Sequence, residues 1–146
     1  MLAQTLFFCN IVQETHGIIH KHVIDFYNQQ NAKAWQGIGD FIRMHYDTGR
    51  NDTDFWTFAN ELPVSNKYNE LKECWQERTP RKIDFVNYEM DGFPQFGVYS
   101  WLTIGQSLGI ISPEVSTNEL MALTPAQHQK LAYFLNKIKS SLYSKQ

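Results

Sequence analysis

A mainly α-helical fold with few short strands is what this 146-residue sequence predicts, and three observations predict it. Apolar residues recur at three- and four-residue steps over the stretch from Val23 to His45. Segments open repeatedly on residues that cap helix N-termini, at Thr53, Ser65 and Thr124. Clear apolar–polar alternation of the strand type is scarce.

Taken in order, the first patterned stretch is Leu6-Phe7-Phe8-Cys9-Asn10-Ile11-Val12. Glu14-Thr15-His16-Gly17 follows it, with a glycine that ends a short first helix. From His20 to Tyr46 the apolar positions Val23, Ile24, Tyr27, Ala34, Trp35, Ile38, Phe41, Ile42 and His45 describe one long helix. Gly37 and Gly39 weaken it by up to ~1 kcal/mol each relative to Ala, which implies that a ring or another backbone packs closely there. Gly49 reads as its C-cap. Asn51-Asp52-Thr53 then caps a short helix, Asp54 to Asn60, that stops before Pro63. Ser65 caps a further helix through Tyr68, Leu71, Lys72 and Trp75, ending near Thr79-Pro80. Arg78, Arg81 and Lys82 at its end read as a solvated cluster that compensates the helix dipole. Residues 83–99 are irregular or shortly extended, broken by Gly92, Pro94 and Gly97, and Trp101 to Leu108 is a short buried helix. Finally Thr124-Pro125-Ala126-Gln127 combines an N-cap Thr, a first-turn Pro and a Gln three residues after the cap. The helix it opens has an apolar face of Leu131, Phe134, Leu135, Ile138 and Leu142.

Composition narrows the function classes. The length suits one domain, 42% of residues are apolar and 14% aromatic, and 19% are charged, against about 25% in an average domain. That balance excludes intrinsic disorder. A net charge of −2 gives no electrostatic reason to expect nucleic acid. Cys9 and Cys74 are far apart, lack metal-ligand spacing and read as reduced thiols packed as small hydrophobes. No run reaches the ~18 apolar residues of a membrane helix. The first segment lacks the basic flank and cleavage site of a signal peptide, so a cytoplasmic location is expected.

Most familiar chemistry is missing. No G-x-G-x-x-G, G-x-x-x-x-G-K-[ST] or G-x-S-x-G is present. His16 and His20 would share a helix face and His22 is adjacent, but Gly17 and the lack of a third ligand favour surface or partner-facing imidazoles over a metal site. Asp47, Asp52 and Asp54 fail as a calcium loop: counted from Asp47, Asp52 stands at the glycine position and Phe58 at the closing glutamate. Capping and an Arg50 ion pair account for them better. Glu61, Glu70, Glu73 and Glu77 read as solvated. Glu89 and Asp91 differ, because they enter an aromatic stretch of Phe85, Tyr88, Phe93, Phe96, Tyr99 and Trp101. An acid among rings suits the ammonium of an amphipathic ligand whose flat part the rings sandwich. The plainer reading of those aromatics is core.

Two motifs then point to a family. Asp40-Phe41-Ile42-Arg43-Met44-His45-Tyr46, followed by Arg50-Asn51-Asp52-Thr53-Asp54-Phe55-Trp56, resembles the "DFI…HY…R-x-D-T-x-F-W" signature of flavin-dependent tryptophan halogenases. Phe26-Tyr27-Asn28 before it, and Pro63 and Ser65 after it, fit the same pattern. Ser100-Trp101-Leu102-Thr103-Ile104-Gly105-Gln106-Ser107-Leu108-Gly109 is similar to the family's "SW-L-x-x-G-Q-G" segment. The resemblance covers about Ile24 to Ile111. Family members commonly carry Arg at the place of Gly39 and Gly at that of Ser107. Residues 1–23 match poorly, so the chain divides into that segment and a halogenase-like helical region, 24–146.

The resemblance implies a helical, substrate-side, C-terminal part of such an enzyme, packing on a flavin domain and helping to build the indole pocket. The complete enzymes use reduced FAD, supplied through a flavin reductase, with oxygen and halide to make hypohalous acid. A lysine paired with a glutamate then directs halogenation of tryptophan or another indole. The flavin glycine motif, the W-x-W-x-I-P motif, the lysine and its glutamate lie upstream in the family and have no counterpart here. Lys21 and Lys33 sit in no matching motif. The chain is therefore expected to hold no cofactor or catalytic residue and to be inactive alone. By the resemblance, Glu89 and Phe93 take the places of the acid and aromatic that meet the amino acid's ammonium and indole; Phe96 and Trp101, from the aromatic stretch, complete the substrate-binding set. His45, Tyr46, Arg50, Asp52, Phe55 and Trp56 read as scaffold, with Arg50 and Asp52 fixing the turn. Some aromatic rings are expected to face the flavin domain, leaving an apolar patch on the isolated chain. The alternative is an autonomous helical module that binds a small aromatic ligand or a protein partner.

Overall fold

The structure is a computed structural model that describes residues 2–90 and 93–143; the side chains of Leu2, Ala3, Phe93 and Tyr143 fall outside the description. Among the described residues the fold is mainly α. In chain order come α1 (Leu2–Glu14), α2 (Lys21–His45), α3 (Asp54–Glu61), α4 (Asn66–Glu77) and a 3₁₀ segment (Lys82–Tyr88). There follow β1 (Glu89–Met90), β2 (Phe93–Pro94), α5 (Val98–Ser107), α6 (Pro113–Met121) and α7 (Pro125–Tyr143). The strands form a minimal antiparallel pair, Glu89 opposite Pro94 and Met90 opposite Phe93. α2 is the spine: it packs against the 3₁₀ segment, β1, α5 and α1.

The capping chemistry is as the sequence implies. Thr53 Oγ1 accepts the Trp56 N–H at 3.3 Å and Ser65 Oγ accepts that of Tyr68 at 3.0 Å. At α7, Gln127 Oε1 accepts the Thr124 N–H at 2.8 Å while the Gln127 N–H reaches Thr124 Oγ1 at 3.4 Å. α1 stops where the chain turns left-handed at His16 and Gly17. Gly49 is not the cap of α2. That helix ends at His45 with Tyr46 as cap, and Gly49, at φ +67°, bends the turn beyond it. α6 is an addition to the sequence reading, although Ser112 caps it and Pro113 starts it.

The core is aromatic. Trp75 and Trp101 are centred 5.7 Å apart, and Trp101 stacks on Phe85 at 5.2 Å and Tyr88 at 6.0 Å. Phe41, Met44, Tyr68, Leu71 and Ile111 close around them. The two α2 glycines separate here. A Cβ at Gly37 would lie 2.6 Å from Tyr88 Cβ, so the ring packs on bare backbone. A Cβ at Gly39 would meet nothing within 4 Å, contrary to the close approach expected at both.

Buried polar groups fasten this core. Asp40 accepts hydrogen bonds from Tyr88 Oη at 2.6 Å and Ser65 Oγ at 2.8 Å. Burial first, and then the bond to Asp40, raises the Tyr88 phenol above its ordinary pKa. Arg81 is exposed as its position suggests, but Arg78 is partly buried, and both are ion-paired instead of free in solvent. Arg78 grips Asp84 through Nη1 at 2.9 Å and Nη2 at 2.6 Å, and Asp84 also accepts from Trp75 Nε1 and the Arg81 N–H. Burial raises the Asp84 pKa, but these donors outweigh it and hold the carboxyl below its usual range. Arg81 pairs with Glu119 at 2.8 Å, which joins α6 to the end of α4. Lys82 is exposed. Cys9 and Cys74 are exposed and unpaired instead of packed.

The apolar face expected on α7 is solvent-facing: Phe134, Leu135, Ile138 and Leu142 are exposed and Leu131 is half-buried. Among the described residues, no helix is long and apolar enough to cross a membrane.

Candidate functional site

The last turns of α2 and the first two turns of α5 run side by side and leave an open groove of about 500 Å³. Spacing explains who lines it. Phe41 and His45 are four apart on α2, and Tyr99 and Thr103 are four apart on α5, so each pair shares one helix face. Phe96, in the loop before α5, closes the floor, with Ser100 and Ile104 beside it. The Phe96 ring stacks on Phe41 at 3.9 Å and 20°. The His45 and Trp101 rings each meet Phe41 edge-on at 4.9 Å. Tyr99 is 82% exposed.

His45 Nδ1 lies 2.8 Å from the Phe41 carbonyl oxygen, an acceptor only, so Nδ1 carries the proton. In the neutral ring, Nε2 is then an acceptor. The groove therefore combines stacking faces, one imidazole and the hydroxyls of Tyr99, Ser100 and Thr103. That set suits a flat aromatic molecule with an N–H on its edge.

The four sequence-derived binding residues are distributed unequally. Phe96 lines the groove. Trp101 lies directly beneath, 1% exposed, with its ring enclosed by Phe41, Trp75, Phe85 and Tyr88. Behind Phe96, the space bounded by Gly37, Tyr88, Pro94 and Trp101 is too small for a water molecule. Glu89 is half-buried on β1 and is not part of the groove lining; its Oε1 is shielded from solvent and has no hydrogen-bond partner. The Phe93 backbone pairs with Met90, while its side chain, like Asp91 and Gly92, lies outside the described residues. Apart from Phe96, none of the groove residues was assigned to binding from the motifs; the four-residue spacing of Phe41 with His45 and of Tyr99 with Thr103 is the signal that finds them.

The remaining motif residues behave as scaffold. Arg50 holds Asp52 through Nε at 3.0 Å and Nη2 at 2.8 Å, and its guanidinium lies 4.4 Å from the Trp56 ring centre. Arg43 Nη2 reaches the carbonyls of Asn60 and Leu62 at 3.3 and 3.2 Å and ties α3 to α2. His16 sits in a left-handed turn and His20 is the N-cap residue of α2, so they do not share a helix face; among the described residues no cluster fit to hold a metal ion forms.

A flavin dinucleotide needs a strand that delivers a glycine-rich turn to a helix N-terminus, where backbone N–H groups meet the pyrophosphate. The described strands are two-residue arms of one hairpin, and β2 enters α5 through Gln95-Phe96-Gly97 with a single glycine. These residues do not fit that cofactor.

The arrangement is thus that of a helical scaffold carrying an aromatic groove. Comparison with known proteins gives its family: the tryptophan halogenase model matches residues 12–125, and the chain belongs to that family. It is 31% identical over 133 residues to the protein y4xG of Sinorhizobium fredii, covering 90% of this chain and 26% of that protein. It is also 31% identical over 101 residues to the 7-chloro-L-tryptophan 6-halogenase KtzR of a Kutzneria species, covering 68% of this chain and 18% of that enzyme. The chain therefore spans about a quarter or less of these relatives' length.

Proposed function

We propose that this chain supplies the substrate-side helical part of a flavin-dependent tryptophan-type halogenase, and that the groove between α2 and α5 receives the aromatic substrate, tryptophan or another indole. The observation that carries this reading is a coincidence of position. The motif pairs Phe41 with His45 on α2, the second motif supplies Ser100 and Thr103 on α5, and these four residues meet in one groove. Residues 24–146 form the halogenase-like region and residues 1–23 its leading segment.

In this reading Phe96, backed by the buried Phe41 ring, stacks on the indole, His45 Nε2 accepts its N–H, and Trp101 acts from below by fixing Phe41. Glu89 and Phe93 stand at the hairpin next to Phe96, where the unpartnered Glu89 carboxylate oxygen suits a substrate ammonium. Reduced FAD, its reductase, oxygen and halide belong to a flavin domain, the partner of this region, in the cytoplasm. The chain alone neither binds flavin nor halogenates.

A second reading is favoured by the closed Trp75–Trp101 core, which needs no partner: an autonomous helical module that binds a small aromatic ligand or a protein partner. Calorimetry on the 146-residue chain with FAD, L-tryptophan and indole separates the two. No tight FAD binding and only weak indole binding are expected. Tight FAD binding overturns the proposal, and tight indole binding moves the assignment to the autonomous module.

A further inference from the structure

Nearer the N-terminal end of α2 than the groove described above, α1 and α2 enclose a second, smaller cleft of about 310 Å³. It is lined by Gln4, Thr5, Phe8, Tyr27, Asn31 and Trp35. Gln4 is only 7% exposed, yet neither its Oε1 nor its Nε2 has a hydrogen-bond partner. Asn31 Oδ1, also shielded from solvent, has none either. Three buried amide atoms left unpaired in one cleft are costly, because folding removes them from water without replacement. The cleft is also much larger than the ~30 Å³ that one water occupies in the liquid. Its flanks are aromatic, with Phe8 46% and Trp35 54% exposed. Tyr27 Oη donates to the Gln4 carbonyl at 3.3 Å, and Phe7 and Phe8 pack on the Tyr27 ring. The bond goes to the Gln4 main chain, so the backbone that carries this side chain is held in place.

We propose that this cleft is a ligand site for a planar aromatic molecule that carries an amide edge. The Gln4 amide offers an acceptor and a donor side by side, which an aromatic carboxamide complements with its own N–H and C=O. Asn31 Oδ1 takes the second amide proton, and Trp35 and Phe8 cover the ring faces. This site stands apart from the α2–α5 groove and does not depend on the halogenase reading.

Benzamide is the probe, titrated into the full chain and followed by NMR at the Gln4 side-chain amide and the Trp35 indole N–H. Saturable shifts at both are expected. Methyl benzoate, which lacks the donor, should bind at least about tenfold more weakly, equivalent to 1.4 kcal/mol. Q4L, which removes the uncompensated amide and keeps the volume, should lose benzamide by the same factor while its melting temperature holds. W35A provides the same test should Q4L not fold. Equal binding of the two probes, an unaltered affinity in a folded Q4L or W35A, or shifts gathered at Phe96 and Tyr99 in place of Gln4 would each overturn the site. So would the absence of any saturable shift, which leaves water as the partner of these amides.

Discussion

Trp101 on α5 and Phe134 on α7 both sit on the apolar face of a helix, yet Trp101 is 1% exposed and Phe134 57%. The difference is one of partners. α5 is covered by α2 and by the 3₁₀ segment, whose Phe85 and Tyr88 rings stack on Trp101. The apolar face of α7 finds no equivalent layer among the described residues. Amphipathic periodicity thus announces that a face should be buried, and says nothing about what buries it.

The comparison is broken most severely at the centre. W101A should destabilise the chain by about 3–5 kcal/mol, as expected for removing a fully enclosed indole, and denaturant unfolding measures it. A loss below about 1 kcal/mol would mean that the centre is as loosely held as α7.

The ionic frame around that centre comes next. D84N removes the negative charge and replaces one of the two oxygens that accept from Arg78, the Arg81 N–H and Trp75 Nε1 with an amide donor. It should cost about 2–3 kcal/mol, below the 3–5 kcal/mol of a fully buried pair because Arg78 is one-third exposed. The pH dependence follows in sign. Burial opposes ionisation at both Asp84 and Glu119, but donors win at each: Arg78 at Asp84, and Thr79 followed by Arg81 at Glu119. Both folded-state pKa values are depressed. Their stabilisation is therefore present above the unfolded carboxyl values of about 4 and is lost as pH falls through the folded ones. Urea midpoints measured from neutral to acidic pH should fall on that limb, and less steeply in D84N.

A smaller effect distinguishes two glycines only two residues apart on α2. G37A drives a methyl toward Tyr88 Cβ and should cost about 1–3 kcal/mol. G39A meets open space and should raise stability by up to about 1 kcal/mol. Equal effects in thermal melts would contradict the packing of Tyr88 on bare backbone.

The smallest effect belongs to α7. F134S should alter unfolding free energy by no more than about 0.5 kcal/mol, since the ring is already in solvent. Light scattering should show less self-association than in the parent chain, because the exposed apolar face is reduced.

Much of this molecule was legible in its sequence, and the gaps have physical reasons. The span of α2 followed from apolar spacing and the starts of α3, α4 and α7 from their caps, which act within a few residues. What depends on distant residues did not. Gly37 and Gly39 read alike until Tyr88 arrives from far along the chain to cover one of them. Arg78 and Arg81 read as solvated because Asp84 and Glu119 come to them only in the folded chain. α6 was overlooked although Ser112-Pro113 is itself a start signal. At the groove, Phe96 was named from the aromatic stretch. His45 was assigned to the scaffold and Phe41 read only as an apolar position of the motif, since their place in the groove emerges only where α5 lies against α2.

The most direct test of the central claim is an NMR titration of the 146-residue chain with indole. The account predicts weak, saturable shifts concentrated at His45, Phe96, Tyr99 and Thr103, abolished in F96A while the fold persists. Shifts that bypass these residues, or that survive in F96A, would contradict an aromatic substrate seat between α2 and α5.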